Sequence, residues 1–262
     1  ETYAEEIKYP FYGEQLDGLL RARSASLRGI VNGIDYAVYN PAEDNQIFAK
    51  YTTKNFKKQK AVNKKNLQAE LGLPVDENKY MIAIISRLTD QKGLDLVNYA
   101  IERICDENTQ FVIIGTGDPQ YENMFRHYQW KYPDRVSANI LYSDQLAHKL
   151  YAAADTMLMP SLFEPCGLTQ LIALRYGTVP IVRETGGLRD SIQDAGDKGG
   201  NGFTFKTYNA HDMLDACRRA KEYYDKKAQW GKLVTHAMKS DFSWDTSAEL
   251  YLGLYRELTG EY

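Results

Sequence analysis

Two short segments bring together residue types that can hold and polarise a charged ligand. Ser86-Arg87-Leu88-Thr89-Asp90-Gln91-Lys92-Gly93 places an Arg and a Lys five positions apart. Bridging one loop, the two cations can converge on a single anion, and charge-assisted hydrogen bonds to a diphosphate contribute about 1.5–3 kcal/mol each. Two ordinary solvent-exposed basic residues are the alternative. Phe163-Glu164-Pro165-Cys166-Gly167-Leu168-Thr169-Gln170 sets a Glu beside a proline, on a rigid loop, just ahead of an apolar segment of helical length. Backbone N–H groups from Gly167 to Thr169 would open that helix, and helix N-termini accept anions. A carboxylate beside an anion hole suits a ligand with hydroxyls at one end and phosphates at the other, which describes a nucleotide sugar. Cys166 is a nucleophile only if a base stands close, and the four histidines (His127, His148, His211, His236) are scattered along the chain.

Further candidates are weaker taken singly. Gly115-Thr116-Gly117-Asp118-Pro119 would let a ligand approach the backbone, yet it lacks the third glycine of the dinucleotide fingerprint and is equally a plain turn. Tyr142 can stack on a base or simply pack. Thr185-Gly186-Gly187-Leu188 is another glycine turn before a short helix.

These segments gain weight from the elements that must position them. Apolar runs at 80–86, 110–114, 138–142, 156–160, 178–182 and 202–205 read as strands. Amphipathic stretches such as Leu94–Cys105, Tyr121–Tyr132 and Leu168–Tyr176 read as the helices between them. Strands apolar throughout, alternating with helices, predict a doubly wound parallel α/β sheet covered on both faces. In such sheets ligands bind beyond the carboxyl ends of the strands. All five motif segments fall there.

Outside the regular region, Leu16, Leu19, Leu20 and Leu27 suggest a short helix and Leu27–Val31 a strand, with a turn at Asn32-Gly33 and a break at Asn40-Pro41. Lys54–Leu71 reads as a lysine-rich helix with a solvated basic face, and Thr246–Leu258 as a final helix.

Composition excludes several classes. With 44% hydrophobic and 26% charged residues, the 262-residue chain has a core to bury. A formal charge of −3 gives no case for nucleic acid, and no apolar run is long enough for a membrane span. Three widely spaced cysteines (Cys105, Cys166, Cys217) match neither a disulfide framework nor a zinc site and favour a reducing, cytoplasmic setting. The chain opens Glu1-Thr2-Tyr3 without Met, as a processed chain or a fragment would.

The segments at 86–95, 163–170 and 185–188, with Asn32-Gly33-Ile34-Asp35 and Asp241-Phe242-Ser243-Trp244, resemble the bacterial glycogen synthases and plant starch synthases in register over nearly the whole chain. That resemblance implies a GT-B fold, two Rossmann-like domains facing across a cleft. It implies transfer of glucose from ADP-glucose to the non-reducing end of an α-1,4-glucan with retention, with no metal or cofactor. It assigns Arg87 and Lys92 to the donor diphosphate and Glu164 to glucose hydroxyls, with Cys166 and Gly167 lining the sugar pocket. Leu168 and Thr169 would present N–H groups to phosphate and Tyr142 would stack on adenine, Gly115, Thr116 and Gly117 completing the site. Ile172 stands where many retaining relatives carry a second Glu, so their ribose contact has no counterpart here.

The family's N-terminal Lys-Thr-Gly-Gly-type loop and its catalytic-side His are not matched. The expected organisation is therefore the C-terminal half of such an enzyme: a remnant of the N-terminal domain and crossover at 1–40, a nucleotide-sugar-binding domain at 41–240 and a C-terminal helix at 241–262. A GT-B transferase using a UDP-sugar and a non-catalytic nucleotide- or carbohydrate-binding module are the competing readings.

Overall fold

The computed structural model describes residues 1–260. The apolar runs form six strands, β1 (Tyr80–Ile85), β2 (Thr109–Ile114), β3 (Val136–Asn139), β4 (Thr156–Met159), β5 (Val179–Arg183) and β6 (Phe203–Phe205). They make one sheet in the order β3-β2-β1-β4-β5-β6, parallel throughout. β1 lies in register with β2 from Tyr80 opposite Thr109 to Ile85 opposite Ile114. The order reverses between β1 and β4, so the loops after those two strands flank the crevice where ligands of such sheets bind.

Eleven α-helices are seen among the described residues: α1 (Thr2–Glu6), α2 (Asp17–Ala22), α3 (Phe56–Glu70), α4 (Leu94–Ile104), α5 (Pro119–Lys131), α6 (Asp144–Ala153), α7 (Thr169–Arg175), α8 (Gly186–Ser191), α9 (Ala210–Asp225), α10 (Lys227–Ala237) and α11 (Trp244–Thr259). Their starts follow local chemistry. Pro119 opens α5, where its missing N–H costs nothing. Ser143 caps α6 by accepting from Leu146 N, and Asn209 caps α9 by accepting from His211 N. Strand residues such as Met81, Ile82, Phe111 and Val112 are wholly buried, as both faces of the sheet are covered.

Three expectations are corrected. Leu27–Val31 is no strand: its end lies beside α11, where Ser247 Oγ donates to Val31 O at 2.9 Å, and just beyond it Ile34 N donates to Phe242 O, ahead of that helix, at 2.9 Å. Asn32-Gly33 is not a turn but a close approach, since a Cβ on Gly33 would lie 2.5 Å from the Trp244 backbone. The third strand lies earlier than the 138–142 run, leaving Leu141 and Tyr142 exposed on the loop beyond it.

The basic face of α3 is also only partly solvated. Lys60 and Lys64 are buried. Lys60 Nζ donates to the carbonyls of Tyr151, Ala152 and Tyr176 and to Thr178 Oγ1, at 3.0–3.3 Å. Lys64 Nζ donates to Asp155 Oδ2 at 2.6 Å. Among the described residues, no helix is long and apolar enough to cross a membrane.

Candidate functional site

The loops after β1 and β4 are fastened to each other backbone to backbone. Gly93 ends a 3-10 turn over Asp90–Lys92 with φ +67°, and a Cβ there would sit 2.1 Å from Pro160 O. Gln91 holds the other side, its O accepting from Leu162 N at 2.8 Å and its Nε2 donating to Phe163 O at 3.1 Å. Arg183, at the end of β5, donates through Nε to Ser161 O at 2.8 Å and through Nη2 to Leu162 O.

This framing brings Lys92 Nζ to 2.5 Å from Glu164 Oε2, which also accepts from Ser161 Oγ at 3.2 Å. Glu164 is only 7% exposed. Its partners therefore do the work that water would do for a solvated carboxylate. Arg87 projects from the same loop, exposed, with Nη2 donating to Gln91 Oε1 at 3.1 Å.

Cys166 sits two residues beyond Glu164, half-buried, with Sγ accepting from Asn32 N at 3.4 Å. Burial pushes its thiol above the usual value; the Asn32 N–H opposes this, and the charges of Glu164 and Asp190 add to it. A thiol kept protonated is poorly suited to nucleophilic attack. Gly167 takes φ +70°, and buried Gln170 ties the turn together by donating to Cys166 O and Gly167 O at 2.9 Å each. α7 then begins at Thr169, its cap residue Leu168 having no side-chain acceptor for the first N–H groups. Ile172 is buried in α7 and faces away from solvent.

On the β1–β2–β3 side a pocket of about 300 Å³ opens at the strand ends. Arg87, Gly115, Thr116, Tyr142 and Thr169 all line it. Tyr142 stands at its mouth, 90% exposed. Ser86 and His148 line it as well, and each carries a buried polar atom that makes no hydrogen bond, Ser86 Oγ and His148 Nε2, the latter 3.8 Å from Asp144 Oδ1. His148 is held through Nδ1, 2.7 Å from Asp44 Oδ2, and its ring is stacked on Tyr39. Sequence reasoning missed Tyr39, Asp44, Ser86 and His148. The offset between Asp44 and His148, 104 residues, leaves no local signal.

The two glycines of the β2 loop also permit a close backbone contact. A Cβ on Gly115 would lie 1.9 Å from Ser86 O, and one on Gly117 2.3 Å from Leu88 O. They let the β2 loop lie on the β1 loop. Gly117 N donates to Glu122 Oε1 at 3.1 Å. The predicted residues thus form two adjacent groups, one around Lys92, Glu164, Cys166 and Gly167, the other around the pocket, with Arg87 and Thr169 near their junction.

A six-stranded parallel sheet in this order, with helices on its flanks, is one lobe of a GT-B glycosyltransferase fold. Residues 64–235 match the family Glycosyl transferases group 1, and the chain belongs to that family. Within it the chain groups with the glycogen and starch synthases. It is 60% identical over 261 residues to a glycogen synthase of Lachnospira eligens and 59% identical over 261 residues to that of Lachnoclostridium phytofermentans; each match covers 98% of this chain and 55% of the relative. The catalytic domain of starch synthase IV from Arabidopsis thaliana, solved bound to ADP and acarbose, superposes with a TM-score of 0.92 at 38% identity, over 98% of this chain and 54% of that one. The chain spans about half the length of the curated relatives it matches.

Proposed function

We propose that this chain is the donor-binding, C-terminal half of a glycogen synthase, which transfers glucose from ADP-glucose to the non-reducing end of an α-1,4-glucan with retention. One observation carries the reading: Lys92 is bound to Glu164 across the β1/β4 crevice, beside a pocket lined by Arg87 and Tyr142. The carboxylate suits the hydroxyls of a hexose. The ammonium touching it marks where sugar meets phosphate, which is the bond that breaks. Adenine stacks on Tyr142, above Gly115, Thr116 and Gly117. The diphosphate takes Arg87, Lys92 and the N–H groups of Leu168 and Thr169, while Cys166 and Gly167 border the sugar.

In transfer with retention the diphosphate leaves as the anomeric carbon acquires oxocarbenium character. Negative charge grows on the leaving oxygen, and Arg87 and Lys92 are arranged to neutralise it there. Contacts that strengthen as charge develops lower the barrier rather than merely bind the donor. Glu164 orients the ring and is not assigned a proton transfer. The starch synthase bound to ADP supports adenine as the base.

The partner in catalysis is an N-terminal domain of the same enzyme. Phe11, Leu16 and Leu19 near the start and Leu250, Tyr255 and Leu258 on α11 are exposed apolar side chains suited to its contact. Without that second wall the chain should bind donor but not transfer. Proximity and orientation are worth up to about 7–11 kcal/mol in favourable cases.

The test has two parts. Calorimetry on the 262-residue chain should give binding of ADP and weaker or no binding of UDP. ADP release from ADP-glucose with a glucan primer should be negligible for the chain alone and appear when the complementary half is supplied. Preference for UDP would reassign the donor, and binding with no transfer in the restored enzyme would make this a binding module.

A further inference from the structure

Helices α1 and α8 lie antiparallel, and each supplies the carboxylate that caps the other. Asp190, near the end of α8, accepts from Thr2 N at 3.0 Å and from Thr2 Oγ1 at 2.6 Å, at the start of α1. Glu6, the last residue of α1, covers the start of α8: Oε1 accepts from Thr185 Oγ1 at 3.0 Å and from Gly186 N at 3.1 Å. The two ends of this strap are about 180 residues apart in sequence.

The capped turn is the one that seats Glu164. Gly187 N donates to Glu164 O at 2.9 Å. Gly186, at φ +45°, presses so closely that a Cβ would lie 1.9 Å from the same oxygen. The backbone of Glu164 is thus held by the Thr185–Gly187 turn, while its carboxylate is held by Lys92 and Ser161. Loss of the Glu6 cap would leave two donors at the start of α8 to water and free the turn to shift away from Glu164 O.

We infer that Glu6 is a positioning residue for Glu164, acting through the Thr185–Gly187 turn, and so makes the α1 segment part of the sugar-binding apparatus. The role of Glu164 toward sugar rests on the function proposed above. The fixing of the turn does not.

The experiment therefore has two arms, both on the 262-residue chain with Glu6→Ala, Glu6→Gln and Glu6→Asp. In the first, amide hydrogen exchange should be at least tenfold faster at Gly186 and Gly187 in Glu6→Ala, intermediate in Glu6→Gln and partly restored in Glu6→Asp, with β1 and β2 amides unchanged. Unaltered exchange at Gly187 would overturn the inference. In the second, ADP-glucose should bind several-fold more weakly to Glu6→Ala while ADP affinity stays put. Equal losses for both ligands, or none, would also overturn it. If the unmodified chain gains nothing from the glucose moiety, the sugar reading of Glu164 falls, and exchange at Gly187 alone decides the role of Glu6.

Discussion

Lys92 and Glu164, 72 residues apart, form a contact of 2.5 Å across the seam where the strand order reverses. Neither side chain is free in water: their exposures are 16% and 9%. A pair this sheltered is costly to break on one side only. Lys92→Met should therefore cost about 3 kcal/mol, the low end for stripping the partner from a buried charge. Adding Glu164→Gln should recover part of that loss, because the double variant leaves no uncompensated charge. Urea denaturation of the two singles and the double checks it. Strictly additive losses would show that the two groups are not coupled.

Arg87 and Tyr142 can be separated by choice of ligand. Arg87 is exposed and supports no core contact, so Arg87→Ala should leave the melting temperature unchanged. ADP affinity should fall about tenfold, for one charge-assisted contact. Tyr142→Ala should weaken ADP by a similar factor, since base stacking is worth about 1–3 kcal/mol. Inorganic pyrophosphate should feel the first variant and not the second. Calorimetry with both ligands distinguishes a phosphate contact from a base contact.

Gly93 is where the β1 and β4 loops meet without side chains between them. Its φ of +67° and the 2.1 Å that a Cβ would leave to Pro160 O make any other residue strained twice over. Gly93→Ala should destabilise the chain by more than about 2 kcal/mol, and it should weaken ADP binding as Lys92 is displaced. Denaturation and ADP titration on one preparation give both numbers. A stable variant with normal ADP binding would mean the seam can open without cost.

How far the sequence foretold this varies with the kind of contact. The apolar runs marked β1, β2, β4, β5 and β6 to within a residue or two, because strands buried on both faces must be apolar throughout. Leu27–Val31 has the same appearance, yet it lies against α11; composition cannot tell a strand from an extended segment covering a helix. Arg87, Lys92 and Glu164 were visible as residue types in rigid loops. Their pairing was not, since Lys92 and Glu164 meet only once β1 and β4 are neighbours. Glu6 and His148 gave no signal at all. Their partners, Gly186 and Asp44, are remote in sequence, and a lone acid or imidazole is ordinary until the fold closes around it.

Cys166 offers a prediction about chemistry that should not occur. Burial raises its thiol, so the nucleophilic thiolate is scarce at neutral pH. Iodoacetamide at pH 7.5 should react slowly, and Cys166→Ser should retain ADP binding and, in the restored enzyme, appreciable transfer. Mass spectrometry after incubation with ADP-glucose should find no glucosyl adduct on this residue. A trapped adduct would overturn the view that the side chain only borders the sugar.

Lys60 ties stability to pH in a defined direction. It is surrounded by three carbonyls and the Thr178 hydroxyl, and burial pushes its ammonium down from 10.5 to about 7, against the attraction of Asp155. Between those two values the unfolded chain holds a proton that the folded chain has released. Stability must then rise as pH increases from 7, by at most about 1.4 kcal/mol per pH unit. Below pH 7 the group is protonated in both states and contributes no slope. Near pH 10 the sign turns, because Tyr51 and Tyr80 are buried with raised values and keep protons that the unfolded chain loses. Cys105 and Cys217, whose thiols burial pushes up from 9.0 to about 12, oppose the rise towards pH 9 in the same way, so the difference between the chain and Lys60→Met over pH 7–9 is what isolates Lys60. Lys60→Met keeps most of the side-chain volume, removes the ionising group and should flatten the profile there. It leaves the carbonyls of Tyr151, Ala152 and Tyr176 without this donor, so some stability is lost at every pH. Urea midpoints at half-unit intervals for the chain and for Lys60→Met give the comparison. Parallel profiles between pH 7 and 9 would mean that the carbonyl cage keeps Lys60 charged throughout.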